Sequence, residues 1–456
     1  MILGFILFLL FFATLTYTRF SFGISVMLLL LPTYLIRFSL GPLPTTLFEI
    51  LFLTVCFIWL ARFGRQSLAR VIETKHTWGP QHYFLISAIV LFLTGATLSV
   101  FTAVDMRAAL GEWKAFYIEP CIFFIILTAS LQQYKKNRRA PGAVSPNHIL
   151  VPLLLCGLAT SILAIYQHFT GWMVPHAFWA NGDSYRVTAW YGFPNGVGLF
   201  LAPLVPVAIY IFLDTIKSMR TRPHQWHTSM MLFLSSISLV TLPLAVLYAK
   251  STGGLVGMIG GIGLLLFWYK KTRWPTALLA VIGMLAIFLL PQLQPIHTEL
   301  SFQDRSGHIR VAIYSETIAL LRDHPIRGAG LASYDERIAP YHKLVNNERI
   351  EIFHHPHNLF LTMWVNIGFL GLIGFIGIIT CVMWGQVRQL ANKHTWQTLS
   401  FFMFASFVTL LITGLVDSPY IKNDLAILFF TILTLALPRH SATSHPMNLE
   451  KNISVQ

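Results

Sequence analysis

The sequence predicts an all-α polytopic membrane protein of about 12–13 transmembrane helices with one large external loop that carries short helices of its own. Two observations predict it. Of 456 residues, 55% are hydrophobic and only 11% charged, with a mean hydropathy of +0.64, whereas soluble domains carry roughly a quarter charged residues. Apolar runs of membrane-crossing length, about 17–25 residues, also recur along the whole chain. They lie near residues 1–17, 20–38, 46–61, 82–101, 108–131, 148–168, 194–214, 228–248, 252–269, 275–291, 357–385, 398–416 and 422–438. Disordered, collagenous and disulfide-scaffold classes are excluded. The four cysteines, Cys56, Cys121, Cys156 and Cys381, sit inside apolar runs and read as small packing residues.

The formal charge of +14, from 32 Lys+Arg against 18 Asp+Glu, would suggest nucleic acid in a soluble protein. Placement points elsewhere. Seventeen basic residues fall in alternate connections: Arg19; Arg62, Arg65, Arg70 and Lys75; Lys135, Lys136, Arg138 and Arg139; Lys217, Arg220 and Arg222; Lys270, Lys271 and Arg273; Arg388 and Lys393. The short connections between hold Arg37, Arg107, Arg186, Lys250 and Lys422. Cytoplasmic loops carry the excess of Lys and Arg, so the first set is expected in the cytoplasm, together with the C-terminus. No nucleic-acid partner is expected. The first run lacks a basic start and a small-residue cleavage pattern, so a removed signal peptide is not expected. The chain reads as a single transmembrane domain, 1–438, with a polar cytoplasmic tail over 439–456.

One connection differs from the others. Residues 292–356 hold 7 Lys+Arg, 8 Asp+Glu and 6 His within 65 residues, and a loop this long with internal pattern is usually functional. By parity it is external. His308 to Arg322 predicts an amphipathic helix with Ile309, Ala312, Ile313 and Leu320 on one face. Asp323-His324-Pro325 ends it, and Gly328-Ala329-Gly330 supplies a turn.

Cations on the outer side run against the positive-inside bias, so each is informative. Arg186 precedes Phe193-Pro194-Asn195-Gly196, where Pro194 suits a first helical turn. Lys250 lies at a membrane boundary in Lys250-Ser251-Thr252-Gly253-Gly254. Arg310 opens the amphipathic helix, and His354-His355-Pro356-His357-Asn358-Leu359 precedes a long apolar run. Together these fragments resemble the O-antigen ligase and O-antigen polymerase family of integral membrane glycosyltransferases, which share a Wzy-type C-terminal region. The strongest match is Pro356-His357-Asn358-Leu359 through Gly368 and Gly371, preceded by the helix led by Arg310 and the turn of Pro325, Gly328 and Gly330. The match at Lys250-Ser251 departs from the family, which commonly has Ser-Arg. The resemblance runs best over residues 180–380.

The resemblance implies a GT-C-like fold in the inner membrane. It also implies metal-independent transfer of a glycan from a polyprenyl (undecaprenyl) diphosphate carrier to an acceptor hydroxyl on the periplasmic or external face, with no cofactor. The partners it implies are that lipid-linked donor, a glycolipid or glycan acceptor such as lipid A–core, and membrane lipids. The residues fit that chemistry on their own terms. Negative charge grows on the leaving diphosphate, and fixed guanidinium groups stabilise it where no metal does; Arg186 and Arg310 are the candidates, with Lys250 beside them. An acceptor hydroxyl must lose its proton, and neutral imidazole is the usual base. With Pro356 as the first helical residue, His357 falls in the first turn, where the helix dipole disfavours imidazolium. Displacement opposite the diphosphate inverts the anomeric centre. Asn358 is a supporting residue, and Asp417 reaches the outer side, where it either orients an imidazole or caps a helix.

Each assignment has a plainer competitor. Arg186 is a solvated or headgroup-anchoring loop residue beside Asp183, Lys250 snorkels, and Arg310 pairs with Glu316, Asp304 or Asp323. The cluster His354, His355 and His357, with Glu351, offers a zinc set, but Pro356 interrupts the face and no His-Glu-x-x-His spacing is present. His324, His342 and Tyr341 read as loop surface. Glu112 and Lys114 sit at an interface; Glu119, deeper, reads as a structural ion pair or part of an ion pathway. Ligase and polymerase activities differ only in the acceptor. A secondary transporter, similar to bicarbonate carriers proposed among relatives, is the reading from another class and predicts broken helices with a charged midplane site.

Overall fold

The computed structural model describes residues 2–41, 43–67, 69, 79–182, 185–221, 225–345, 350–390 and 398–437; the expected tail, 439–456, lies outside them. Each of the thirteen apolar runs contains a helix. In order these are α1 (Ile2–Thr18), α2 (Phe20–Leu29), α3 (Leu47–Ser67), α4 (Pro80–Phe101), α5 (Met106–Lys136), α6 (Asn147–Thr170) and, after a single turn α7 (Ala177–Ala180), α8 (Pro194–Thr221). There follow α9 (Trp226–Tyr248), α10 (Thr252–Trp268), α11 (Arg273–Leu289), then α12 (Gln294–Leu300), α13 (Arg305–Asp323) and α14 (Tyr334–Ile338) of the long connection, and finally α15 (Leu359–Leu390), α16 (Leu399–Thr413) and α17 (Asn423–Ala436). Among the described residues seven are long and apolar enough to cross a membrane, and α11 joins them if it counts with the helices bent 90° beyond it. This is an all-α, multi-pass membrane protein.

The second run is a correction. Its helix stops at Leu29, a 3-10 turn follows over Leu31–Leu35, and the chain then folds into a hairpin of β1 (Arg37–Leu40) and β2 (Leu43–Thr46), with Arg37 opposite Thr46. Pro32 lacks an amide hydrogen and disfavours helix in the residue before it. Leu31 and Tyr34 are nonetheless buried, so hydropathy alone does not mark the turn. The Thr46 hydroxyl then accepts the Glu49 amide at 3.1 Å and starts α3.

Small residues let α4 and α15 cross at close range. A side chain at Gly374 would place Cβ 2.2 Å from the Phe92 amide nitrogen, and one at Gly95 would sit 2.4 Å from that of Gly371, so α4 and α15 touch backbone to backbone, as small-residue seams allow in membranes. Beside the seam, Phe92, Phe375 and Tyr420 pack ring against ring at 6.0–6.2 Å. Gly374→Leu should lower the thermal unfolding temperature in detergent by the equivalent of about 1–3 kcal/mol or more. Gly283→Leu, on α11 where nothing lies within 4 Å, should leave it unchanged. Equal behaviour of the two variants would refute the seam.

The long connection is locked onto α15. At Gly368 the helix breaks, with φ at +69°. Into this break fits the turn after α13: the Ala329 amide donates to the Val365 carbonyl at 2.7 Å, the Phe369 amide to Ile326 at 2.8 Å, and the Trp364 indole to Pro325 at 2.7 Å. Gly328 and Gly330 both have positive φ, and a Cβ at Gly328 would lie 2.4 Å from the Val365 carbonyl oxygen, so glycine is required there. The predicted amphipathic helix is α13, capped by Asp304 through the amides of Ser306 and Gly307 and burying Ile313 and Leu320. All four cysteines are buried and free.

Candidate active site

The connections before α8, between α9 and α10, before α15, and between α16 and α17 meet at one end of the bundle. Gly198 and Gly254 bring the starts of α8 and α10 together, with a Cβ at Gly254 only 2.9 Å from the Gly198 Cα. The Leu359 amide donates to the Gly414 carbonyl at 2.7 Å, which docks the start of α15 on the end of α16. Three helix N-termini, each a positive dipole end, therefore open on one region, and the first amides of α15 are already taken by Gly414 and Asn358.

At its centre is Asp417, buried in the connection between α16 and α17. It caps neither helix. One carboxylate oxygen, Oδ2, accepts from the Asn195 side-chain amide at 2.8 Å; Oδ1 accepts from the Ser418 amide at 2.8 Å and lies 3.2 Å from His357 Nδ1. Burial works to raise the Asp417 carboxyl, but the imidazoles of His357 and His355 outweigh it and hold the group well below the usual carboxylate range. It is a fixed anion.

His357 is not in the first turn of α15, which corrects the expected helix start. Asn358 is the cap: its Oδ1 accepts the amides of Phe360 and Leu361 at 3.0 Å, and its Nδ2 donates to the Leu415 carbonyl at 2.9 Å. Asn is among the strongest N-cap residues. His357 precedes it in the left-handed region, with φ at +48°, a conformation that costs a non-glycine residue about 1–3 kcal/mol and persists only where its surroundings impose it. Here Tyr314 of α13 donates to the His357 carbonyl at 2.9 Å while Asp417 faces the ring. The dipole argument for a neutral ring gives way to a His–carboxylate pair.

Arg186 reaches the same centre from the loop before α8. Its Nε donates to Ala249 O at 2.7 Å, and its Nη2 donates to Asn195 Oδ1 and to Lys250 O, both at 2.8 Å; the guanidinium also lies 5.0 Å from the Trp179 ring. Burial, and after it the nearby charge of Arg310, pulls the Arg186 guanidinium down to about 10, so it stays cationic at neutral pH. Asp183, its expected neighbour, lies outside the described residues. Arg310 donates from Nε to Val416 O at 3.2 Å and from Nη1 to Ser306 at 2.9 Å. It pairs with none of the expected acids: Asp304 caps α13, Asp323 accepts from Tyr341 at 2.5 Å, and buried Glu316 accepts the Lys343 amide at 2.9 Å. A small pocket is lined by Asn195, Ser251, Gly254, Arg310 and Asp417. Lys250 contributes its carbonyl; its side chain is exposed.

The remaining candidates separate. His354 turns to Asp335 at 3.3 Å and is exposed, as is Glu351; the ligand-type side chains that do gather are His355, His357 and Asp417. His342 is not surface: its side chain is 8% exposed, 3.3 Å from Glu316 and 3.1 Å from the Ile350 carbonyl. Lys114 pairs with Glu49, Glu112 accepts the Ala332 amide at 2.9 Å, and neither oxygen of buried Glu119 is hydrogen-bonded among the described residues. Sequence reasoning gave Asn195 no role and named His355 only within the zinc set of His354, His355 and His357; the placement of Asn195 just after a helix-starting proline was the signal for the first.

No curated protein matches the chain in a sequence search. A family model described as O-antigen ligase matches residues 237–376, a stretch that takes in Lys250, Arg310, His357 and Asn358 and leaves Arg186, Asn195 and Asp417 outside. From the middle of α9 to the middle of α15, the chain is thus similar to the O-antigen ligase family, which supports a role in membrane glycan transfer for O-antigen and lipopolysaccharide biosynthesis.

Proposed function

We propose that the protein transfers a glycan from a polyprenyl diphosphate carrier to an acceptor hydroxyl such as that of lipid A–core, at the face of the inner membrane away from the cytoplasm. The observation that carries this reading is the meeting of two cations and a His–carboxylate pair around Val416 and Asp417. His357 donates its Nδ1 proton to Asp417, which leaves the Nε2 lone pair as the base. The acceptor O–H gives its proton to Nε2 as its oxygen attacks C1. The C1–O bond to the diphosphate breaks, and the anomeric centre inverts. Arg186 and Arg310 each keep N–H groups that no protein acceptor engages among the described residues; these, with the helix N-termini, take up the charge growing on the leaving diphosphate. The carrier tail lies in the bilayer, and no metal or cofactor enters the step.

The test incubates purified protein with polyprenyl-diphosphate glycan and either lipid A–core or a second carrier-linked glycan, with chelator present. Transfer to the first acceptor supports a ligase, and elongation of the second a polymerase. His357→Ala should lower the rate about 100- to 10,000-fold; full activity in that variant, or retained anomeric configuration in the product, refutes the mechanism.

A further inference from the structure

His355 has no part in the transfer just described, yet it stands beside it. In His355-Pro356-His357 the two histidines are two residues apart on a non-helical segment. Their rings are 4.8 Å apart. Both face Asp417: His357 Nδ1 is 3.2 Å and His355 Nε2 3.8 Å from the same carboxylate oxygen. The three donor atoms lie within 4.8 Å of one another. The longer contact exceeds hydrogen-bond reach, so the His355 ring is aimed at the carboxylate without being bonded to it.

We propose that His355, His357 and Asp417 form a binding site for a divalent transition ion, zinc foremost, and that its occupancy switches transfer off. Two imidazoles and a carboxylate with a fourth position open are a common zinc arrangement, and nitrogen ligands select transition ions over magnesium and calcium. Zinc ligands at about 2.0–2.2 Å stand roughly 3.3 Å apart on a tetrahedron, so the rings need close by only a fraction of their present separation. Asn195 and the Ser418 amide already hold Asp417 in place, the kind of support that orients metal ligands. His354, tied to Asp335, stays outside.

The inhibitory sense rests on the proposed base. A neutral imidazole bound to zinc through Nδ1 carries its proton on Nε2. The proton that lay between His357 and Asp417 has moved to the far nitrogen, and the lone pair that would accept the acceptor's proton is gone. No proton is lost overall, so the block is a change of tautomer, reversed by chelation.

The experiment uses full-length protein purified in detergent without a polyhistidine tag and stripped of metal. Titration with Co²⁺ should raise the visible absorption of a low-symmetry site at one ion per chain, and Zn²⁺ should abolish it. His355→Ala should weaken Co²⁺ binding about tenfold or more, while His324→Ala, a histidine of the loop beyond α13, should leave it unchanged. Zinc should inhibit transfer over the range in which it displaces Co²⁺, and His355→Ala, scored against its own metal-free rate, should need at least tenfold more. Absence of a Co²⁺ signal, or equal affinity in both variants and wild type, overturns the site. Because the titration needs no substrate, a chain that binds Co²⁺ yet transfers nothing when stripped of metal refutes the glycan-transfer reading and leaves the site standing.

Discussion

Asp417→Asn is expected to leave a folded protein that transfers glycan about 100- to 10,000-fold more slowly, the loss lying in kcat. The hydrogen-bond directions at the site force this result. An arginine only donates, so Asn195, which receives Arg186 at 2.8 Å, must present its oxygen there and its amide to Asp417. Asp417 then accepts on both oxygens, from Asn195 on one side and from Ser418 and His357 on the other. An asparagine in its place can accept on only one. If its oxygen faces His357, its amide meets the Asn195 amide, donor against donor; turning Asn195 round would break the bond to Arg186. If its amide faces His357, the ring must accept at Nδ1 and carry its proton on Nε2, which is the wrong tautomer for a base. Kinetics over a range of donor concentrations, with a melting curve for each variant, check the claim. A rate within tenfold of wild type would show that Asp417 does not set the tautomer of His357.

How far this site was legible in the sequence depends on which contacts are local. The helices follow from hydropathy, and α13 from spacing, because each is decided by residues within a turn or two of one another. The end of α2 was not legible from hydropathy: Pro32 stands in an apolar run in which Leu28 of the helix and Leu31 and Tyr34 of the turn are buried alike. The start of α15 was misread by one motif competing with another. Proline favours the first helical position, but Asn358 is the better signal, since its side chain satisfies two of the amides a helix start leaves open. Asp417 stands 60 residues from His357, and the docking of Leu359 on Gly414 joins them; no periodicity shows that. The same holds for Asn195, whose partners are Arg186 nine residues before and Asp417 far downstream. Residue types disclosed the chemistry, and packing alone disclosed the pairing.

Arg310→Ala should lower transfer about 100- to 1,000-fold, the range for removing a donor aimed at developing charge, and should weaken inhibition by inorganic diphosphate at least tenfold. The second readout separates anion binding from a structural role, because Arg310 also donates to the Val416 carbonyl next to Asp417 and its loss could disturb that loop. Arg310→Lys tests the same point: lysine keeps the charge but gives up the planar fork, so diphosphate inhibition should recover in part while the rate recovers less. The electrostatics favour an anion here. Arg186 and Arg310 are close enough for the charge of Arg310 to lower the proton affinity of Arg186, and two like charges this near repel until something negative sits between them. Glu299 and Asp417 each offset this at Arg186 by less than Arg310 opposes it, and the Asp417 oxygens are already engaged by Asn195, Ser418 and His357. An added diphosphate should therefore raise the unfolding temperature of the wild type and do so markedly less in Arg310→Ala. If it stabilises both equally, the guanidinium of Arg310 belongs to the scaffold, and the charge on the leaving group must be met by Arg186 and the helix ends without it.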